Sequence, residues 1–274
     1  MASLLTNAAA MTALQTLSLT NKKLAVTQNR IATGERVSQA SDNAAYWSIS
    51  VGMKNQSNLL GVVKDSIGFG TAILDAAYTG LDEAIKLTME IHQRYLAMEQ
   101  DGTDTAALQS EINELVAAVE EMAVSADFEG QNLLAAAPAG GNVTIVTGYL
   151  KGGAANAVKT LTLNAFDLET KIATLEDHPN ATAGAAAVAT EELLVELRSA
   201  ASELGSMKIR LETQLAFTSK LIDAVDRGVG QLVDADMNAE SAKLSALQVQ
   251  QQLGIQALSI ANSNSQNILT LFRG

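Results

Sequence analysis

The chain has 274 residues, of which 47% are hydrophobic, 18% charged and 4% aromatic, with only 2 Pro and no Cys. The lack of Cys excludes disulfide frameworks, thiol nucleophiles and zinc–thiolate sites. An excess of 30 acidic over 18 basic residues, a net charge of -12, argues against a nucleic-acid partner, which needs clustered Lys and Arg. Scarce Pro and abundant Ala, Leu and Gln favour helix through most of the chain.

The first predicted element is an uncharged amphipathic helix. No side chain from Met1 to Asn21 is charged, and apolar residues recur at intervals of seven. These residues are Ala10, Leu17, Leu24 and Ile31. The helix is expected to end at Gly34, because Gly commonly follows a helix C-terminus. The opening residues lack the basic n-region of a Sec-type signal peptide.

A polar turn and a second helix are expected next. The turn contains Ser41 to Ala45, and the aromatic pair Tyr46 and Trp47 follows it directly. We interpret this pair as a packing anchor at the beginning of the second helix.

Three segments then show the alternating steps of three and four residues that are typical of coiled-coil seams. They run from Leu60 to Met98, from Leu108 to Ala126 and from Leu194 to Val225. A short loop, Asp101 to Asp104, separates the first two, which predicts an antiparallel helical hairpin. The third helix is expected to end before Gly228 and Gly230. Twelve acidic residues against two basic ones between positions 75 and 127 predict a solvated face.

Residues 135 to 187 break the helical pattern with Gly, Ala, Thr and Asn. Within them, Asn142 to Leu150 and Ala157 to Leu163 alternate as strands do. The two segments are expected to pair as a hairpin through Lys151 to Gly153. The sequence therefore predicts a small β-hairpin insert between helices.

The last predicted helix is again uncharged. Residues 244 to 272 carry no charged side chain but nine amides and four Ser, which makes them too polar for a membrane helix. Asp234 and Asp236 are both candidates for its N-cap. Seam positions are expected at Leu244, Leu247, Gln251, Gly254, Leu258, Ala261, Ser265 and Ile268. Because Leu253, Ala257, Ile260 and Leu271 lie off this seam, the helix needs partners on more than one side. Such a surface implies self-association, and a head-to-tail contact that does not close yields a filament.

Catalytic and metal-binding signatures are missing from the sequence. There is no H-E-x-x-H, no P-loop, no Cys pair and no G-x-S-x-G. The two His residues, His92 and His178, are interpreted as ordinary surface or turn residues. We therefore expect no catalytic, cofactor or metal site, and a protein that is not an enzyme.

Three segments of the chain resemble bacterial flagellins. Arg30 to Val37, followed by Ser41 to Ala45, is similar to their N-terminal signature, in which a helix ends at Gly and a short spoke leads to a D-[DN]-A-A turn. Residues 233 to 273 are similar to their C-terminal region. Phe128 to Leu134 resembles the F-N-G-x-x-L-L loop, with Glu129 in place of Asn. The likeness is greatest to short alphaproteobacterial, rhizobial-type flagellins.

The resemblance implies a mainly α fold, a long antiparallel helical bundle and coiled coil with a small β-hairpin insert. Residues 1–33 and 233–274 would form a terminal coiled-coil core domain, 34–45 a spoke, 46–134 with 188–228 an outer helical domain, and 135–187 a short variable insert. The expected self-assembly residues are Ala10, Leu17, Leu24, Ile31, Leu244, Leu247, Gln251, Leu258, Ala261 and Ile268. The spoke motif comprises Gly34, Ser41, Asp42, Asn43, Ala44 and Ala45, and the loop motif comprises Phe128, Gly130, Leu133 and Leu134.

The function implied by the resemblance is mechanical. A flagellin is a structural subunit that leaves the cell unfolded through the flagellar type III exporter and polymerises into the extracellular filament used for swimming. The implied partners are other flagellin subunits, an export chaperone, the filament cap and hook-junction proteins, with no cofactor, nucleic acid or membrane. The alternatives are a hook–filament junction protein, an enzyme housed in the insert, and a membrane-active helical protein.

One departure concerns Toll-like receptor 5. Flagellins recognised by this receptor carry the stretch Q-R-x-R-E-L-A-V-Q on the first outer helix, whereas residues 90 to 98 here read E-I-H-Q-R-Y-L-A-M. Since the motif is not kept, weak or absent recognition is expected.

Overall fold

The computed structural model describes residues 7–135, 141–150, 157–176 and 183–271, with side chains described in these ranges except at 157 and from 264 onward. The elements in these residues are α1 (Ala8–Thr33), α2 (Ala44–Met98), α3 (Thr105–Ser125), β1 (Asp127–Phe128), β2 (Gln131–Asn132), β3 (Val143–Leu150), β4 (Ala157–Leu163), α4 (Leu168–Glu176), α5 (Ala183–Val233) and α6 (Met237–Leu271). The mainly helical fold with a small antiparallel strand pair is thereby confirmed. No helix among the described residues is long and apolar enough to cross a membrane.

The chain divides into two compact units. Residues 1–56 and 224–274 form the terminal unit, and residues 57–223 form the central unit. The four-part division into core, spoke, outer domain and insert stays a prediction.

The central unit has one hydrophobic core, built by the three predicted seams. The seam residues of α2, α3 and α5 that are almost fully enclosed include Ile67, Leu74, Leu81, Ile91, Ile112, Val119, Leu197 and Leu211. Burying each such side chain stabilises the unit by about 1.5–3 kcal/mol. On α3 the buried stripe also includes Val116 and Ala123, whereas Leu115 and Met122, which follow the steps of three and four from Leu108, are only partly covered.

The predicted helix boundaries are confirmed at three places. Gly34 follows α1 in the left-handed conformation, at φ 72°, and its N–H donates to Arg30 O. The side chain of Asp104 caps α3 by accepting from Ala107 N at 3.1 Å. Asp236, and not Asp234, caps α6, because its Oδ1 accepts from the N–H groups of Asn238 and Ala239 at 2.9 and 3.2 Å.

The expectation that α5 ends before Gly228 is wrong, since the helix continues to Val233. A Cβ at Gly228 would lie 2.7 Å from Met53 Cε, and one at Gly230 would lie 2.6 Å from Asp234 Oδ2. Both glycines therefore lie within α5 where a side chain from outside the helix comes close: that of Met53 on α2 and that of Asp234 just after α5. The helix ends where Val233 O accepts from Arg36 N at 2.6 Å.

The β-hairpin is confirmed, and the region around it contributes more to the core than the sequence suggested. Strands β3 and β4 pair antiparallel, with a bulge between Val146 and Gly148; the predicted connection at 151–153 lies outside the described residues. Ile145 on β3 packs against α2 so closely that a Cβ at Gly70 would overlap it, at 2.0 Å from its Cδ1. The short helix α4, which the sequence did not predict, buries Leu168 and Ile172 completely.

Candidate functional site

The predicted assembly residues lie on α1 and α6, which pack antiparallel in the terminal unit. Asn7 Nδ2 donates to Ala261 O at 2.9 Å, near one end of the pair. Gln251 Nε2 donates to Asn21 Oδ1 at 2.8 Å, and Arg30 Nη1 donates to Glu240 Oε1 at 3.0 Å near the other end. In these three contacts the residue numbers increase from Asn7 to Arg30 while those of the partners decrease from Ala261 to Glu240. The two helices therefore run antiparallel. We call this helix pair the terminal coil.

The covered side chains of the terminal coil follow the predicted spacing. Between residues 241 and 263 of α6, the residues that are not exposed are Leu244, Leu247, Gln251, Gly254, Leu258 and Ala261. On α1, Ala10, Leu17, Leu24 and Ile31 are partly covered and alternate with Ala13, Thr20 and Thr27. The side chain of Ile268 lies outside the described residues. These predicted assembly residues thus join the two helices within one chain, and their part in assembly stays a prediction.

Other apolar residues of the terminal coil face outward. On α6, Ala246, Leu253 and Ile260 are spaced by seven, and Leu253 and Ile260 are 57% and 62% exposed; we call these three residues the α6 stripe. The other exposed flank of α6 carries mostly Ser and amide side chains together with Ile255, which is 54% exposed; its polar residues are Ser245, Gln248, Gln252, Ser259 and Asn262. On α1, Met11, Leu14 and Leu19 are also more than half exposed. Exposed apolar residues that recur along one face of a helix are candidates for a protein–protein contact.

One ion pair crosses the seam of the terminal coil. Glu240 occupies a seam position of α6 with its side chain only 12% exposed, and its Oε1 lies 3.0 Å from Arg30 Nη1 and 3.6 Å from Lys243 Nζ. Burial alone raises the pKa of Glu240, but the hydrogen bond from Arg30 and the charges of Lys243 and Arg30 outweigh it and lower that pKa from its ordinary value. A charged pair at a seam position specifies one register of the two helices.

The spoke motif forms a compact turn between α1 and α2. Asp42 Oδ2 accepts from the N–H groups of Ser38 and Gln39 at 3.1 and 3.2 Å. Asn43 Oδ1 accepts from Ala45 N and Tyr46 N, both at 3.1 Å, and so caps α2. Ser41, Ala44 and Ala45 are exposed. The polar members of the motif therefore order the backbone.

The segment between Gly34 and the turn also joins the end of α5. Glu35 and Asp234 form an antiparallel bridge, and Ala235 N donates to Gly34 O at 2.9 Å. Val37 packs with Val229 and Val233 in a small buried cluster.

The expected packing anchor at Tyr46 and Trp47 is wrong for the described residues. Their side chains are 42% and 36% exposed, beside exposed Ile49 and Val51. The cap at Asn43 sets where α2 begins, so the aromatic rings are left as surface.

The loop motif is a two-residue hairpin turn in the central unit. Glu129 and Gly130 have φ values of 53° and 78°, which join β1 to β2. Phe128 packs its ring 5.6 Å from that of Phe69, and Leu133 and Leu134 are fully buried. This motif therefore builds the core.

Asn132, which the sequence analysis did not select, is the polar centre of that loop. Its buried Nδ2 donates to Ala123 O and Val124 O at 2.7 and 3.1 Å, and its Oδ1 accepts from Leu134 N and Ala135 N at 2.7 and 3.1 Å. The feature of the sequence that could have indicated this buried polar residue is its position directly before Leu133 and Leu134.

His92 is not an ordinary surface residue, contrary to the expectation. Its ring is partly buried, and its Nδ1 lies 2.9 Å from Thr190 Oγ1 and 3.1 Å from Ala187 O. It therefore links α2 to α5. His178 lies outside the described residues. Within the described ranges, no group of His, Asp or Glu is arranged to hold a metal ion.

Fold and site together define a mainly helical protein in which α1 and α6 pair as one coil that leaves apolar side chains exposed. The family descriptions "Bacterial flagellin N-terminal helical region" and "Bacterial flagellin C-terminal helical region" match residues 4–138 and 188–272. A flagellin of Brucella melitensis is 43% identical over 284 residues, and flagellin C of Rhizobium meliloti is 40% identical over 321 residues, with 100% of each chain covered in both cases. A crystal structure of Bacillus cereus flagellin is 22% identical with a TM-score of 0.37, and the match covers 58% of this chain and 88% of that one.

The chain belongs to the bacterial flagellin family. It is a structural subunit of the extracellular flagellar filament, which serves motility. The hook–filament junction alternative is not favoured, because flagellins match the chain over its full length.

Proposed function

We propose that the outer face of the terminal coil joins neighbouring subunits in the filament, with the α6 stripe as its central contact. The observation that carries this proposal is the exposure of Leu253 and Ile260 on a helix whose seam is already closed by α1. Exposed Ile255 lies near Ser259 and Gln252 on the other flank, so that flank is mixed, whereas the α6 stripe is apolar at all three of its positions. The terminal unit is thus the core-forming part of the subunit, and residues 34–45 are its spoke.

The α6 stripe is strong enough to govern polymerisation. Full burial of Leu or Ile contributes about 1.5–3 kcal/mol, so covering the exposed portions of Leu253 and Ile260 contributes about 2–3.5 kcal/mol together. Such a contribution changes the critical concentration for filament growth by roughly 30- to 300-fold.

The test replaces both stripe residues by Gln, which keeps helix propensity and side-chain length. Seeded growth of Leu253→Gln, Ile260→Gln subunits is measured by sedimentation and electron microscopy. We expect the critical concentration to rise as estimated, while the helical signal of the unassembled subunit stays unchanged. Ser259→Gln, on the opposite flank of α6, is the matched control. Growth of the double variant at the wild-type concentration would contradict the proposal.

Further partners belong to the same proposal. An export chaperone is expected to hold the apolar face of α6 before assembly, and the filament cap and hook-junction proteins are expected to meet the ends of the filament. We infer no catalytic role. Weak or absent activation of Toll-like receptor 5 is expected, because residues 90–98 differ from the stretch carried by flagellins that this receptor recognises. A strong reporter-cell response to the purified subunit would refute this.

A further inference from the structure

A cationic pocket lies between the β-hairpin and α5 in the central unit. Its cavity volume is about 280 Å³, and its lining includes Lys159, Arg210, Gln214 and Thr147. Lys159 projects from β4 and Arg210 from α5, so two elements distant in sequence each bring one positive charge to the same space. No acidic side chain is among the described residues that line this pocket.

The local backbone builds the pocket. The bulge of β3 lies between Val146 and Gly148, and it leaves Thr147 O free of the strand ladder. Gln214 Nε2 donates to that oxygen at 3.0 Å, which fixes α5 against the hairpin. Lys159 lies opposite Gly148, and its Cβ would be 3.5 Å from a Cβ at that position. The stem of Lys159 therefore passes beside the glycine.

The two cations of the pocket are available for a partner. Some basic residues of the central unit form ion pairs, such as Lys208 with Asp75 at 2.6 Å and Lys171 with Glu196 at 2.6 Å, whereas Lys64, Arg198 and Lys220 form none among the described residues. Among the described residues, neither Lys159 nor Arg210 forms one. Two neighbouring positive charges without a counter-charge favour binding of a carboxylate.

The chain supplies a matching acid at the far end of α2. Ser66 Oγ accepts from Val146 N at 3.1 Å, which places the hairpin beside this part of α2. From Ser66 to the end of α2 at Met98, the helix rises about 48 Å at 1.5 Å per residue. The exposed turn that follows contains Asp101, which, like the exposed acids Asp65, Glu90 and Glu114, forms no ion pair among the described residues. Pocket and acidic turn are therefore too far apart to meet within one chain.

We propose that the Lys159–Arg210 pocket receives Asp101 from the α2–α3 turn of a second copy of this chain, stacked end to end. The proposal rests on the filament function proposed above. Subunits with a net charge of -12 repel one another unless positive groups meet the acids at their contacts. Contact between the pocket of one copy and the turn of the next also sets their alignment. Among the described residues each subunit has one such pocket and one such turn, so only one end-to-end arrangement joins them.

The experiment uses charge reversal and charge exchange in the full chain. Arg210→Glu and Asp101→Lys are tested separately and together. Each variant grows on seeds that contain that variant alone, and the critical concentration is measured by sedimentation. We expect each single variant to raise the critical concentration by roughly tenfold or more, since like charges face each other. We expect the combined variant to return to within about threefold of the wild type, because the pair is restored in reverse.

Glu114→Lys is the matched control for net charge, since Glu114 is an exposed acid on α3 outside the turn. Combined with Arg210→Glu, it is not expected to restore growth. Circular dichroism of each unassembled variant checks its fold, and Lys159→Glu replaces Arg210→Glu if the latter does not fold. Three results would overturn the proposal. Arg210→Glu subunits grow like the wild type, or adding Asp101→Lys to Arg210→Glu does not restore growth, or adding Glu114→Lys restores growth equally well. A different result would refute the proposed filament function itself: wild-type subunits that do not extend seeds.

Discussion

Replacing Asn132 by Ala removes four hydrogen bonds, two to carbonyls at the end of α3 and two from the N–H groups of Leu134 and Ala135. The carbonyls of Ala123 and Val124 are among the last of that helix, and they have no partner within it. The Asn132 side chain is 3% exposed, so its loss leaves two carbonyls and two N–H groups without their protein partner.

The expected cost follows from these groups. Each buried polar group that loses its partner costs about 1–3 kcal/mol. Water entering the space left by the side chain recovers part of this, so we expect Asn132→Ala to lower the free energy of unfolding by about 3–5 kcal/mol.

Urea unfolding of the unassembled chain, followed by far-ultraviolet circular dichroism, measures this loss through the midpoint and slope. Gln131→Ala is the control, because Gln131 is an exposed neighbour in the same strand. It is expected to change the unfolding free energy by less than about 0.5 kcal/mol. A loss at Asn132 below about 1 kcal/mol, or one equal to that of the control, would refute the argument that this side chain caps α3.

Three further predictions concern single positions. Glu129→Asn is expected to raise the unfolding free energy by about 0.5–1 kcal/mol, because Asn tolerates the positive φ of 53° better than Glu; thermal unfolding measures it. Gly70→Ala is expected to destabilise the central unit by about 1–3 kcal/mol, because the added Cβ would overlap Ile145 Cδ1. Adding Ile145→Val removes that Cδ1 and is expected to recover part of the loss; a double variant no more stable than Gly70→Ala would contradict this. Because the folded-state pKa of Glu240 is lowered below 4.5, ionised Glu240 stabilises the terminal coil above that pH, and this contribution disappears as the pH falls through the folded pKa. Filaments of Glu240→Gln are therefore expected to be weaker near neutral pH and to lose less on acidification, measured by sedimentation across a pH series.

The helix seams were predictable because each depends on a pattern repeated over many turns. On α6 the covered residues coincide with the predicted ones from Leu244 to Ala261, although the segment has few strongly apolar side chains. Spacing alone carries that information, since positions three and four apart lie on one face of a helix.

Short elements were less predictable. Helix α4 has only nine residues, and Leu168, Ile172 and Leu175 provide too few repeats to stand out from their Thr- and Ala-rich surroundings. Gly228 and Gly230 have the composition of a helix end, but their neighbours Met53 and Asp234 decide their role. Such tertiary contacts are absent from local sequence.

For the candidate site, spacing located the helices but not the outer surface. The apolar residues expected to drive assembly, such as Leu17 and Leu247, face the partner helix of the same chain. The exposed residues Leu253 and Ile260 were distinguished only by lying off the seam. Which of two apolar faces is left open depends on where the partner helix lies.

The pairing of α1 with α6 also determines the order of events during synthesis. Asn7 and Ala261 are 254 residues apart in the chain, and Arg30 and Glu240 are 210 apart. The ribosome therefore releases α1 long before its partner exists, and closing so long a loop carries an entropic cost that local contacts do not repay. Pairing of the two ends therefore begins only after the last helix has been synthesised.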